Sequence, residues 1–230
     1  MSGSMKRNRF IPFRKADLVE MCVKDLRLTE AEVKEFKEFC QILEALFHFE
    51  FHTRLEKLKT YYGPFNPDAD TRKVYNYSEP EKKNFQKKLV SEMTAVLNAA
   101  NFEKITAEDL QQALSDNLYF KNLDNNAGVF YHLIDTAEEE EFKEAVLAYY
   151  FLLTAKDPMT KKELDHRIEN WLAEKWDCHI DFEIGDAVNK LQRLNLIQQD
   201  AEILQSVPLS EAKQQLDTIW DNFFTYNSNK

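Results

Sequence analysis

Apolar residues recur three or four positions apart through most of the chain, which is the spacing of one face of an α-helix. A short helix is predicted from about Ala16 to Leu26, and a capping box of Thr29 and Glu32 begins a long helix that reaches about Tyr61. This long helix carries an apolar stripe so wide that other helices must cover it on more than one side. The stripe consists of Val33, Phe36, Phe39, Cys40, Leu43, Leu46, Phe47, Phe51, Leu55, Leu58 and Tyr62.

Two further capping boxes predict the remaining helices of the N-terminal part. Ser78 with Glu81 begins a helix to about residue 100, and Thr106 with Asp109 begins a short helix that ends near residue 114. The segment 117–126 mixes aromatic residues with Asn and Asp, whose side chains compete for local backbone hydrogen bonds. We therefore expect an irregular lead-in there and a domain boundary just before it.

The C-terminal part predicts helices, a hairpin and a last helix. The predicted helices lie near 127–136, 139–155, 160–176, 182–194 and 210–224, and the two short strands lie near 196–199 and 202–205. Thr160 with Glu163 caps the third of these helices and Asp181 caps the fourth. Three helices followed by a short hairpin is the order of a winged-helix domain. The predicted fold class is mainly α, with an N-terminal helical unit packed with this C-terminal winged helix.

These elements divide the chain into three parts. Residues 1–9 are interpreted as a flexible basic N-terminus that opens with an expression scar before a native Met5. The N-terminal helical domain is predicted over 10–115, and the lead-in with the winged-helix domain over 116–230.

Composition and charge exclude several classes of protein. Only 4 Gly and 6 Pro are present, which is typical of helices joined by few turns, and the 3 Cys fit neither a disulfide framework nor a CxxC metal clasp. No apolar run reaches the length needed to cross a bilayer. We therefore expect a soluble chain from a reducing, intracellular compartment.

The distribution of charge disfavours DNA binding by the winged helix. Residues 1–137 hold 20 basic and 21 acidic residues, so 10 basic and 19 acidic of the total of 30 and 40 remain after them. The helix at the recognition position and its lead-in offer Lys190 and Arg193 against Asp177, Asp181, Glu183 and Asp186, and the wing tip has no basic residue. Because phosphate contacts supply most nucleic-acid affinity, we expect a packing or protein-docking role instead.

One stripe of polar residues on the long helix suggests a metal site. Glu44, His48, His52 and Glu56 are spaced four apart, and paired His at that spacing can bind zinc or another divalent metal. The alternative, to which we give more weight, is a polar seam in which each His is hydrogen-bonded to a carboxylate and no metal is bound. No phosphate loop or nucleophile motif is present, so we expect neither a catalytic site nor another cofactor.

Several blocks of the sequence resemble domain-of-unknown-function family 3754. They are 10–13, 43–52 and 62–71 for the N-terminal signature of that family, and 117–130 with 149–153 for its C-terminal part. The family occurs in bacteria, notably cyanobacteria, includes a mitochondrial transmembrane protein, and has no established activity. The resemblance therefore implies a setting at a membrane and no particular reaction.

The chain departs from that family between Leu114 and Asn117. Members of the family carry a further soluble segment and an apolar transmembrane hairpin there, and neither is present. This suggests an engineered chain in which the membrane portion was removed and the flanks were joined near Ser115 and Asp116; a naturally short paralogue is the alternative. We expect a protein partner or a homo-oligomer, no nucleic acid, and a full-length form anchored in a membrane with these parts on its cytoplasmic face.

Overall fold

Seven helices and three strands make up the part of the chain that the computed structural model describes, residues 10–25, 27–63, 77–99 and 126–225. We number the helices in chain order as α1 Lys15–Lys24, α2 Glu30–Tyr62, α3 Glu79–Ala99, α4 Asn126–Leu153, α5 Lys161–Trp176, α6 Ile184–Arg193 and α7 Leu209–Thr225. The strands are β1 Met159–Thr160, β2 Ile197–Asp200 and β3 Ile203–Ser206. The mainly helical class is therefore confirmed. No described helix combines the length and the apolar character that a bilayer span requires.

Two boundaries differ from the prediction. The helices predicted near 127–136 and 139–155 are one continuous helix, α4. The helix for which Asp181 was the predicted cap begins later, at Ile184 of α6. Glu183 occupies its N-cap position and makes no side-chain capping hydrogen bond. The predicted helix near 106–114 and nearly all of the predicted lead-in lie outside the described residues.

The chain forms two compact units whose limits fall inside α2 and α4. The first unit comprises 1–47 and 139–230, and the second comprises 48–138. The boundary predicted between 115 and 116 lies outside the described residues. A helix of 33 residues such as α2 is about 50 Å long, more than one small core can cover, so its two halves belong to different units.

The first unit contains a winged-helix-like arrangement. It is built from the second half of α4 followed by β1, α5, α6, β2 and β3, and its antiparallel sheet has the strand order β1-β3-β2. Met159 lies opposite Leu204, and Ile197 lies opposite Ser206. The sequence predicted β2 and β3 to within one residue but not β1, which is only two residues long.

Aromatic residues of α2 and α4 form the centre of this unit. Phe39 stacks on Tyr149 with ring centroids 4.4 Å apart, and Phe36 lies 5.6 Å from Tyr150. All four side chains are fully buried. The Tyr149 hydroxyl donates to the carbonyl of Val207 at 3.0 Å, so this aromatic centre is tied to the segment after the sheet.

A buried ion pair holds the N-terminal segment of the same unit. Lys143 Nζ lies 2.6 Å from Glu140 Oε1, and both side chains are excluded from solvent. The Glu140 carboxylate accepts the backbone N–H of Ile11 at 3.0 Å, and Lys143 donates to the Ile11 carbonyl at 2.9 Å. Both polar backbone groups of Ile11 are therefore satisfied inside the core.

The second unit consists of the end of α2, the helix α3 and the start of α4. Phe85 on α3 contacts Tyr77 with ring centroids 4.9 Å apart and Tyr61 at 6.5 Å. Lys59 donates to the Tyr131 hydroxyl at 2.9 Å and lies over that ring. Polar and aromatic contacts thus join all three helices in this unit.

Candidate functional site

The four predicted metal ligands lie on α2 and contact different neighbours. Glu44 Oε1 is 2.8 Å from Lys15 Nζ, and Glu56 Oε1 is 2.8 Å from Lys59 Nζ. Both carboxylates are thus engaged by lysines. In the described part of the chain, no group of three or more His, Cys, Asp or Glu side chains is arranged to hold a metal ion.

His48 of that stripe contacts a carboxylate that sequence reasoning missed. His48 Nδ1 lies 3.0 Å from Glu138 Oε2, and the His48 and His52 rings lie 6.5 Å apart and nearly parallel. Glu138 is 90 residues away in sequence, and no local pattern indicates the pairing. The geometry places the rings of His48 and His52 beside each other, while Glu44 and Glu56 each form an ion pair with a lysine.

Lys190, at the recognition position of the winged helix, is buried rather than displayed. Its ammonium lies 2.5 Å from Glu144 Oε2, 3.0 Å from Asp186 Oδ2 and 3.3 Å from Glu141 Oε2, and its side chain is 5% exposed. Burial alone would lower the pKa of Lys190, but the three carboxylates raise that pKa above its usual value. Lys190 therefore stays charged and is committed to its own unit.

This burial changes the surface that the sequence indicated. From the sequence, Lys190 and Arg193 were both expected to be available to a phosphate. In the structure Lys190 is buried and is not available. Exposed positions on α6 are Asp186, Asn189, Gln192 and Arg193, and the exposed wing runs from Gln198 to Ile203. We call α6 and this wing the winged-helix face; Ile203 is an apolar side chain on it that is 41% exposed.

A second feature of the same unit is an open groove beside the end of α4 and the start of α5. Its volume is about 820 Å³, and three cations, Arg27, Lys156 and Arg167, line it. The carboxylates that line it are Asp157 and Glu163. We call this surface the basic groove.

Two guanidinium groups of the basic groove lie over one buried ring. Arg27 is 5.3 Å and Arg167 is 6.0 Å from the centroid of Phe151, which is fully buried. Arg27 Nε is also 2.5 Å from Asp25 Oδ2, whose side chain is only 2% exposed. Arg27 is therefore held in position before any ligand arrives.

Asp25 is the anchor of this arrangement. Besides Arg27, it accepts hydrogen bonds from Lys175 and from the Tyr150 hydroxyl, the latter at 3.3 Å. Burial alone would raise the pKa of Asp25, but the hydrogen bond from Lys175 and the charge of Arg27 lower it below its ordinary value. Asp25 therefore remains a carboxylate that orients cations toward the groove.

The basic groove continues along α5. A second open cavity of about 410 Å³ shares Arg27, Glu163 and Arg167 with the first, and it adds one cation, Lys175, and one carboxylate, Glu174. Because the two cavities share three lining residues, they form one elongated surface. No spacing in the sequence indicated this groove, since its residues come from three separate segments.

Carboxylates cluster where α5 meets the turn before α6. Asp165 Oδ1 is buried without a hydrogen-bond partner among the described residues. Burial and the nearby Glu169, Asp181 and Glu183 raise the pKa of Asp165 to about 6, although His166 lowers it. Glu169 Oε1 accepts the backbone N–H of Phe182 at 3.1 Å, which fixes that turn.

Comparison with known proteins gives no family for this chain. No family model matches it, and no solved structure is significantly similar to it. The resemblance to family 3754 therefore stays a prediction.

Proposed function

We propose that the chain is a non-enzymatic module for binding another polypeptide or a second copy of itself. The observation that carries this proposal is the burial of Lys190 among Glu144, Glu141 and Asp186 on the helix that would enter DNA in a DNA-binding winged helix. Because this lysine is buried and ion-paired, it is not available to contact a DNA phosphate.

The composition of the winged-helix face supports a polypeptide as its partner. This face would bring three carboxylates close to the negatively charged phosphates of nucleic acid, those of Asp186, Asp200 and Glu202. Amides such as Asn189 and Gln192 offer hydrogen bonds, and Ile203 offers an apolar contact. This mixture is ordinary for the surfaces by which proteins bind one another.

A membrane-anchored setting is part of the same proposal. It rests on the resemblance to family 3754, whose members carry a transmembrane hairpin, and it places these units on the cytoplasmic face of a membrane in the full-length form. Metal binding is the alternative function, favoured by the near-parallel rings of His48 and His52.

The winged-helix face can be tested with a double substitution. We expect Glu202→Lys with Ile203→Ser to weaken self-association in sedimentation velocity, or retention of a captured protein partner, by about tenfold. Asp221→Lys on α7 is the matched control, since it reverses an exposed carboxylate off this face. The control is expected to stay within about twofold of the unaltered chain.

DNA binding is tested in parallel by fluorescence anisotropy with mixed-sequence duplex at low salt. We expect no saturation at micromolar protein. Sub-micromolar binding of duplex, or equal behaviour of the double variant and the Asp221→Lys control in every association assay, would overturn the proposal.

A further inference from the structure

From Lys83 to the end of the helix, the solvent face of α3 carries three lysines and no carboxylate. The lysines are Lys83, Lys87 and Lys88, and all three are exposed. Because Lys83 and Lys87 are one helical turn apart, their side chains lie on the same stripe. We call this surface the lysine face. Its other exposed residues are small or neutral, namely Asn84, Ser91, Ala95 and Asn98.

The carboxylates of α3 do not neutralise the lysine face. Glu79 pairs with Lys82 at 3.0 Å, and Glu81 accepts hydrogen bonds in the N-terminal cap of the helix. Glu92 lies 3.9 Å from Arg54 of α2. None of the three lysines of the lysine face has an ion-pair partner among the described residues. The lysine face therefore carries positive charge that its own helix leaves uncompensated.

The end of α2 extends this surface. Lys88 Nζ lies 5.7 Å from the centroid of the half-buried Tyr61 ring, so the last turns of α2 lie beside the lysine face. Lys57, one turn before Tyr61, is exposed and likewise has no ion-pair partner in the described part of the chain. The surface thus combines positive charge with an apolar ring.

The wing presents the opposite charge. Asp200 and Glu202 are exposed at its tip, neither has an ion-pair partner among the residues that the structure describes, and the wing contains no basic residue. Residues two apart along a chain are at most about 7 Å from each other. Side chains one helical turn apart have Cβ atoms about 6 Å from each other. The two carboxylates of the wing therefore match two lysines of one helical stripe in spacing.

We propose that the wing of one copy of the chain docks on the lysine face of a second copy. This inference rests on the proposed function, and it specifies the partner as a second copy and its surface as α3 with the end of α2. Asp200 and Glu202 pair with lysines of the other copy, and the exposed Ile203 packs near Tyr61. Exposed ion pairs are individually weak, so the contact is of micromolar or weaker affinity and declines in high salt.

The size of the lysine face favours this partner over a nucleic acid. From Lys83 to Lys88 it extends about 8 Å along α3, at 1.5 Å per residue. That length fits the tip of a hairpin, whereas an extended phosphate backbone would reach few of its charges. A surface of complementary charge is also present on the same chain, so no further component is required.

Charge reversal on either surface tests the contact. Sedimentation velocity at about 0.1 M salt measures self-association, because a Debye length of about 10 Å screens the repulsion between whole chains. Lys83→Glu with Lys87→Glu, and separately Asp200→Lys with Glu202→Lys, are each expected to weaken self-association at least about tenfold. The second of these variants is less negative than the unaltered chain, so long-range repulsion cannot explain its loss.

Combining the four substitutions in one chain gives the decisive measurement. The reversed wing and the reversed lysine face are again complementary, and the formal net charge stays at -10 because the changes cancel. We expect self-association to return to within about threefold of the unaltered chain. Mixing the two double variants is expected to restore association too, since each supplies the native surface that the other lacks.

Lys24→Glu with Lys34→Glu is the matched control. Both lysines are exposed in the first unit, and the pair changes the net charge as much as the reversal on the lysine face does. The control is expected to alter self-association by less than about twofold. Circular dichroism and thermal melting confirm that every variant is folded.

The inference is refuted if the chain stays monomeric at millimolar concentration, or if the quadruple variant associates no better than the double variants. Loss of association on reversal of the wing but not of the lysine face would also refute it, and would leave the proposed function standing. Unchanged association in both double variants would count against both. Flotation with vesicles of phosphatidylcholine and phosphatidylserine is the last measurement: binding that requires Lys83 and Lys87, by a chain that is monomeric in solution, would assign the lysine face to a membrane surface instead.

Discussion

Glu144 on α4 and Lys190 on α6 form an ion pair in which both side chains are almost fully shielded from water, with 2% and 5% of their surfaces exposed. The pair joins the helix at the recognition position to the central helix of its unit. A charge buried this deeply is costly unless its partner is present. The ion pair therefore fixes both the position of α6 and the loss of its lysine from the surface.

Removing the lysine tests this role. We expect Lys190→Met to lower the free energy of unfolding by about 3–5 kcal/mol, because Glu144 and Glu141 are left buried without a cation. Urea denaturation followed by circular dichroism measures the loss. Adding Glu144→Gln to Lys190→Met is expected to recover part of it, whereas Asn189→Ala on the exposed side of α6 is expected to change little. A Lys190→Met protein as stable as the unaltered chain would contradict the burial.

The N-terminal segment gives a second prediction. Lys143→Met is expected to destabilise the first unit by about 3–5 kcal/mol, since Glu140 and the carbonyl of Ile11 lose their buried cation. Lys24→Met, an exposed lysine of α1, is the control. Thermal unfolding of both variants, and of a chain that begins after Pro12, measures how much the contact with Ile11 contributes. If the shortened chain melted at the same temperature as the full chain, the hydrogen bonds of Ile11 to Glu140 and Lys143 would contribute nothing to stability.

Asp165 predicts a pH dependence of stability. Its pKa is raised to about 6 in the folded state from 3.8, so the penalty for ionising it is absent below about pH 4 and grows as the pH rises through about 6. Its contribution to stability is thus lost on going from acid to neutral pH. We expect Asp165→Asn to be more stable than the unaltered chain at neutral pH by about 1 kcal/mol, a value reduced for the partial exposure of this group.

The measurement is urea denaturation at several values of pH. The difference between Asp165→Asn and the unaltered chain is expected to shrink as the pH falls toward the unfolded-state pKa. Asp157→Asn, an exposed carboxylate, serves as the control. A difference that stays constant with pH would show that Asp165 ionises normally.

The predicted metal stripe is tested directly by elemental analysis of protein purified without chelators. From the contact of His48 with Glu138, we expect no stoichiometric zinc and no change of melting temperature with a chelator. Because His48 is largely exposed, its replacement by Ala is expected to cost at most about 1 kcal/mol. One zinc per chain that disappears in the His48→Ala, His52→Ala double variant would establish the metal site instead.

Features that depend on near neighbours in sequence could be predicted. Thr160 and Glu163 form the reciprocal capping box expected of them, and Thr29 and Glu32 do the same. The break predicted within α4 was wrong because the residues between its two predicted parts are good helix formers, with neither Gly nor Pro among them. Local signals therefore gave most of the helices and the winged-helix order.

Features that join distant segments could not be predicted. Ile11 and Glu140 are 129 residues apart, and Glu144 and Lys190 are 46 apart. No periodicity links such pairs, so a lysine on a predicted surface helix carried no sign of its burial. The basic groove was missed for the same reason, since Arg27, Lys156 and Arg167 meet only in the folded unit.

The strand order β1-β3-β2 makes β1 and β2 the two edge strands of the sheet. The first has two residues, and the second has four and ends at Asp200. Edge strands this short offer an incoming strand few free backbone groups, and the charge of Asp200 at the end of β2 further disfavours pairing. We therefore expect this small sheet to resist fibril-like growth even in concentrated solution.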